Sequence, residues 1–175
     1  SSDVCSSDLK KNSSIYNIAI QFKMSLQSLI DKPKELLELI DGCLKPKQSE
    51  KKMFGEVYTP PSLIYQKYEA LDVNYIKLYG KSIFTEKNLK WLDNSSGMGN
   101  YSIILYLKLM EGLKTEIPDE DERKCHILEN MIYMAELNKK NVFICRQIFD
   151  VNNIYCLNLY EGDALELDTD VEWGI

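Results

Sequence analysis

Three acidic residues, Asp93, Glu136 and Asp163, stand where the chain can do ligand chemistry. The first opens Asp93-Asn94-Ser95-Ser96-Gly97-Met98-Gly99-Asn100-Tyr101, whose two close glycines let a backbone approach a ligand where a side chain would clash. A carboxylate at the head of such a loop repels a pyrophosphate and suits a ligand carrying a cationic amino group. The dinucleotide fingerprint G-x-G-x-x-G is also incomplete, because Ser102 stands in place of its third glycine. Glu136 can accept hydrogen bonds from both hydroxyls of a ribose, a role shared by all adenosyl ligands. Asp163, in Gly162-Asp163-Ala164-Leu165, can accept from the amino group of an adenine ring. Asp93 and the Gly97/Gly99 backbone remain for an amino-acid end. Together these residues favour S-adenosylmethionine over NAD.

Carboxylates from distant parts of the chain meet only if the fold sets them along one edge, and a parallel sheet does so. Residues 88–93, 131–135 and 154–159 read as strands, and residues 103–113 and 138–149 as helices, the latter apolar at Val142, Cys145, Ile148 and Phe149. The order β-α-β-α-β predicts an α/β, Rossmann-like parallel sheet with right-handed crossovers, ligands binding at the carboxyl ends of its strands. Residues 111–123, with Asp119-Glu120-Asp121-Glu122, read as a polar, acidic connection, a solvated surface loop or a helix start. Upstream, residues 51–61 read as non-helical, 62–71 as a helix capped by Ser62, and 73–86 as a loop or short helix. Residues 11–48 carry Phe22, Leu26, Leu29 and Ile30, then Leu36, Leu37, Ile40 and Leu44, at helical spacing, with a break at Lys32-Pro33. The first nine residues, with the near-repeat SSDVC-SSDL, are set apart as a non-native or disordered leader. Three units result: a leader at 1–9, a helical segment at 10–50, and an α/β unit at 51–175.

The 175 residues suffice for one domain with a core, and their net charge of −6 argues against an autonomous nucleic-acid binder, which would show a basic face. Five cysteines form no C-x-x-C pair, and one histidine, His126, gives no support for a metal site. No apolar run approaches the roughly 20 residues of a membrane span. The expectation is a cytoplasmic protein with reduced thiols.

The same residues carry a resemblance. The chain resembles the gamma-type, adenine-specific DNA methyltransferases of restriction-modification systems, over about residues 51–167. That family's G-x-[VF]-[FY]-T-P block is matched by Gly55-Glu56-Val57-Tyr58-Thr59-Pro60, and its D-P-A-C-G-S-G-N-F block by residues 93–101. The acid at the second strand end is matched by Glu136-Leu137-Asn138, and G-D-x-L by Gly162-Asp163-Ala164-Leu165. The resemblance implies a cofactor site for S-adenosylmethionine. It would be built from Val57, Tyr58, Thr59 and Pro60, from Asp93, Ser95, Ser96, Gly97, Gly99, Asn100 and Tyr101, and from Glu136, Leu137, Asp163 and Ala164. Asn94 replaces the family's proline and Ser96 its cysteine, and the interval from Gly99 to Glu136 exceeds the roughly 20 residues of a compact dinucleotide unit.

The family's catalytic [DNS]-P-P-[YFW] motif does not occur in these 175 residues, so no catalytic residue is assigned and the motif is expected beyond Ile175. The chain therefore reads as the cofactor-binding fragment of an enzyme that methylates the exocyclic amine of adenine. It would contact DNA through a further part, with a restriction or specificity subunit as a candidate partner and no membrane involved. A methyltransferase acting on RNA or protein, a non-catalytic S-adenosylmethionine-binding module and an NAD-binding domain are the alternatives. A fourth strand beside residues 88–93 is expected in such a fold, and its loss would leave an aggregation-prone edge.

Overall fold

The computed structural model describes Ile30, Leu36, Glu38 and residues 58–175. The order of elements is α1 (Pro61–Tyr79), a 3-10 turn (Ile83–Thr85), β1 (Trp91–Asp93), α2 (Asn100–Gly112), α3 (Glu120–Asn130), β2 (Ile132–Glu136), α4 (Lys139–Phe149), β3 (Asn158–Glu161) and α5 (Thr169–Trp173). The three strands form one parallel sheet in the order β1-β2-β3. Leu92 pairs with Tyr133, and Tyr133 with Asn158, in that register. Parallel pairing sets all three carboxyl ends along one edge, as the alternating pattern predicts. β2 is buried at every position, which is what a central parallel strand requires. β1 has β2 as its one strand neighbour among the described residues, and Leu92 is 52% exposed.

The core lies between the sheet and its helices. It contains Ile103, Leu109, Ile127, Met134, Val142 and Phe149, with Ile30 and Leu36 of the N-terminal segment also buried in it. Ile30, Leu36 and Glu38 are helical; the rest of the expected 11–48 helical segment, and the 1–9 leader, lie outside the described residues.

Several boundaries differ from the sequence reading, each for a local reason. The helix expected at 62–71 is α1, running on to Tyr79 because no breaker intervenes before Gly80, which takes the left-handed conformation (φ 74°) and closes the helix by donating to Ile76 O. Ser62 does not cap it: Pro60 holds the cap position with no side-chain bond, and Pro61 enters the first turn with its φ already set. Of the two readings open for the acidic run at 119–122, the structure takes the helix start, and the run opens α3. Asp119 accepts from Glu122 N at 2.8 Å, and three acids follow where the helix end is positive. Arg123 is buried and donates through Nη1 to Ile117 O (2.7 Å) and Pro118 O (3.0 Å), tying α3 to the preceding turn.

β1 begins at Trp91 because residues 87–88 turn, and β3 spans Asn158–Glu161 instead of 154–159. Asp150 explains the second shift. Its carboxylate accepts from Ile154 N (2.8 Å) and Tyr155 N (2.9 Å), which holds that stretch as a loop. The short α5 was not anticipated; Asp168 caps it, and Trp173 packs edge-on against Tyr133 with ring centres 5.2 Å apart.

Candidate functional site

The glycine loop joins the end of β1 to α2, and its shape rests on conformations open to glycine. Gly97 has φ 55° and Gly99, at the cap position of α2, has φ 87°. Gly99 also lies close to the core, since a Cβ there would stand 3.2 Å from Phe149 Cε2 and 3.3 Å from Cys145 Sγ. Backbone bonds fix the loop further: Gly99 N donates to Ser96 O (2.8 Å) and Ser96 N to Ala135 O (3.1 Å) on β2. No side chain caps α2, so its first amides lie at the positive end of a thirteen-residue helix.

Glu136 is the last residue of β2 and is buried. Its Oε2 accepts from Gly97 N at 2.7 Å, while Oε1 accepts from Asn138 N at 2.7 Å and Asn141 Nδ2 at 3.5 Å. One carboxylate thus joins the glycine loop, β2 and the start of α4. Next to β2, Gly162 N donates to Glu136 O (3.1 Å), which brings the segment after β3 to the same place. Asp163 is exposed, and its Oδ1 accepts from Leu165 N at 2.9 Å, closing a tight turn.

These segments enclose a cavity of about 440 Å³, within the roughly 300–1,000 Å³ common for small-molecule sites. Its wall holds Tyr58 and Thr59 from the segment before α1, Ser95, Ser96, Gly97, Asn100 and Tyr101 from the loop and α2, Glu136 and Leu137, and Asp163 and Ala164. Asn94, Met98, Ala135, Gly162 and Leu165 complete it. They are sequence neighbours of the expected residues, and reading each motif as a continuous stretch of wall would have included them. No protein-family model matches this chain, and no curated protein matches it in sequence. Among the described residues no cluster of His, Cys, Asp or Glu could hold a metal ion.

Three expected site residues do not reach the cavity wall: Pro60, Gly99 and Asp93. Val57 lies outside the described residues. Pro60 and Gly99 instead set the starts of α1 and α2. Asp93 is turned behind the loop, where its Oδ2 accepts from Ser102 Oγ at 3.2 Å and the carboxyl also accepts from Ser95 N–H. Burial pushes this carboxyl above the usual carboxylate range, against the opposing pull of those two donors.

The loop's underside is apolar and aromatic. Tyr68 meets Phe84, Trp91 and Tyr101 edge-on, with ring centres 5.9, 6.4 and 6.2 Å away. Its hydroxyl, driven well above the usual tyrosine range by burial, and less by Asp93 and Tyr101, donates to Tyr101 O at 3.3 Å. Cys145 lies fully buried beneath the loop; burial first, then Asp93 and Glu136, pushes its thiol up, and Sγ donates to Gly97 O at 3.5 Å. A protonated thiol suits a supporting role and not nucleophilic chemistry.

Proposed function

We propose that this chain holds the S-adenosylmethionine site of an adenine-specific DNA methyltransferase, in a Rossmann-like methyltransferase fold. One observation carries the reading: four segments spread over more than a hundred residues of chain, Tyr58-Thr59, the glycine loop, Glu136-Leu137 and Asp163-Ala164, meet around one cavity. The last three would serve many adenosyl ligands. Tyr58-Thr59 belongs to the block that, by the family resemblance, closes over the methionine end, which favours an amino-acid end at the loop over a second nucleotide.

In this reading Glu136 accepts from the ribose hydroxyls while its present bond to Gly97 N keeps the loop beside it. The wall residues Leu137 and Ala164 flank the base, and Asp163, exposed at the rim, accepts from its amino group. The first amides of α2 lie where a carboxylate is favoured, next to Asn100 and Tyr101. When bound, S-adenosylmethionine supplies a methyl group on a sulfonium, activated for transfer to a nucleophilic amine. The residues of this chain bind and orient it; the target adenine and its flipping belong to other parts of the protein. The net charge of −6 fits that division, since DNA contact needs a basic face. A cytoplasmic enzyme of a restriction-modification system, with a restriction or specificity subunit as partner, follows from the same reading.

The test is calorimetric titration of S-adenosylmethionine, with NAD as the control, into the full-length gene product. Binding that is lost in Glu136→Ala and Asp163→Ala variants supports the reading, and a DNA adenine methylation assay then separates an enzyme from a binding module. A folded protein that binds NAD and not S-adenosylmethionine overturns it.

A further inference from the structure

An acid at the end of the first strand, at the head of a glycine loop, would ordinarily be read as the partner of a cationic ligand group. The structure gives Asp93 other partners. Its carboxyl is absent from the cavity wall, and its two donors stand at opposite ends of the loop. Ser95 N–H belongs to the turn leaving β1, and Ser102 Oγ, 3.2 Å from Oδ2, belongs to the first turn of α2. Ser102 is 1% exposed, so its hydroxyl has no water to compete for it, and a glycine at this position could make no such bond.

We propose that Asp93 and Ser102 form a clasp that closes the glycine loop at its base, so that Asp93 positions the loop and does not pair with the ligand's cation. The inference rests on the S-adenosylmethionine reading above. The clasp spans the loop from β1 to α2 and complements two further holds on the loop, Glu136 on Gly97 N and Cys145 on Gly97 O. Asp93 is held by neutral groups: the shift of its carboxyl comes from burial, Ser102 and Ser95, with no basic side chain taking part. The titratable groups that feel its charge are the Tyr68 hydroxyl from α1 and the Cys145 thiol from α4, neither of them a cation. This arrangement also accounts for the serine at the third position of the fingerprint. In a dinucleotide fold a glycine there lets helix and strand pack closely; here a small hydroxyl uses the same proximity to reach the strand's acid.

The test is calorimetric titration of the full-length gene product with two probes, S-adenosylmethionine and its analogue lacking the α-amino group. Ser102→Ala and Asp93→Asn are compared with the unmodified protein, and melting temperatures are recorded alongside. The clasp predicts that Ser102→Ala weakens both probes by the same factor, roughly two- to tenfold for one buried hydrogen bond. Asp93→Asn, which keeps the side chain's shape, should also weaken both probes equally. The proposal is overturned if Asp93→Asn weakens S-adenosylmethionine but not the deaminated probe, because Asp93 then pairs with the cation. It is overturned as well if Ser102→Ala lowers the melting temperature and leaves both affinities unchanged, a purely structural effect. Failure of the unmodified protein to bind either probe removes the reading on which the clasp rests, an outcome separate from the other two.

Discussion

Replacing Gly99 with alanine should destabilise this protein by about 2–5 kcal/mol, and replacing Gly97 by only about 1–2 kcal/mol. Both glycines sit in the left-handed region, at φ 87° and φ 55°, where an L-residue pays about 1–2 kcal/mol. They differ in what a new methyl group would meet. At Gly97 nothing lies within 4 Å, so backbone strain is the whole cost. At Gly99 the methyl would press on Phe149 Cε2 at 3.2 Å and Cys145 Sγ at 3.3 Å, and both side chains are 0% exposed, leaving neither room to swing away. Overpacking of that kind adds about 1–3 kcal/mol. Urea unfolding of the two variants beside the unmodified protein reads the difference directly. With slopes of about 1–3 kcal/mol/M, the Gly99→Ala midpoint should fall by about 1–2 M and the Gly97→Ala midpoint by less than half as much. A Gly97→Ala variant as unstable as Gly99→Ala would refute the argument, since it would mean that the loop, and not its contact with α4, sets the limit.

Two further outcomes follow from buried charges. Burial raises the Asp93 carboxyl, so the native state keeps that proton to higher pH than the unfolded chain; the group's contribution to stability is complete below the ordinary carboxylate range and is lost as pH rises through the raised value. Asp93→Asn should therefore remove part of the fall in melting temperature between about pH 4 and neutral pH, on top of a constant offset from the altered clasp, and a fall as steep as that of the unmodified protein would count against it. Arg123→Met should cost about 2–3 kcal/mol, because Ile117 O and Pro118 O lose their shared donor, with Arg123→Lys intermediate; thermal unfolding that shows no loss for the methionine variant would mean water replaces the guanidinium.

Much of this fold was legible because its main signals are local. Alternating strands and helices imply a parallel sheet, and a parallel sheet brings Asp93, Glu136 and the Gly162-Asp163 segment to one edge whatever the side chains do afterwards. The glycine loop was legible for the same reason, since Gly97 and Gly99 both take positive φ. What the sequence concealed was where each carboxylate points, and one physical cause runs through those cases. A buried or half-buried carboxylate binds the nearest backbone amides or hydroxyls, and those donors are fixed by tertiary structure. Asp150 takes Ile154 N and Tyr155 N and so displaces the start of β3. Asp93 takes Ser102 Oγ and leaves the cavity.

Glu136 shows the limit of that cause, because it binds Gly97 N and Asn138 N and still lines the cavity. The difference lies in the donors' positions. Those of Glu136 come from the loop and from the start of α4, both at the sheet's carboxyl edge, so satisfying them holds the side chain at the rim. One of the donors to Asp93 comes from inside the first turn of α2, and satisfying it draws the side chain beneath the loop. Two acids at equivalent strand ends thus take different work, and the residue that decides between them is Ser102, the position at which the dinucleotide fingerprint would have placed a glycine with nothing to donate.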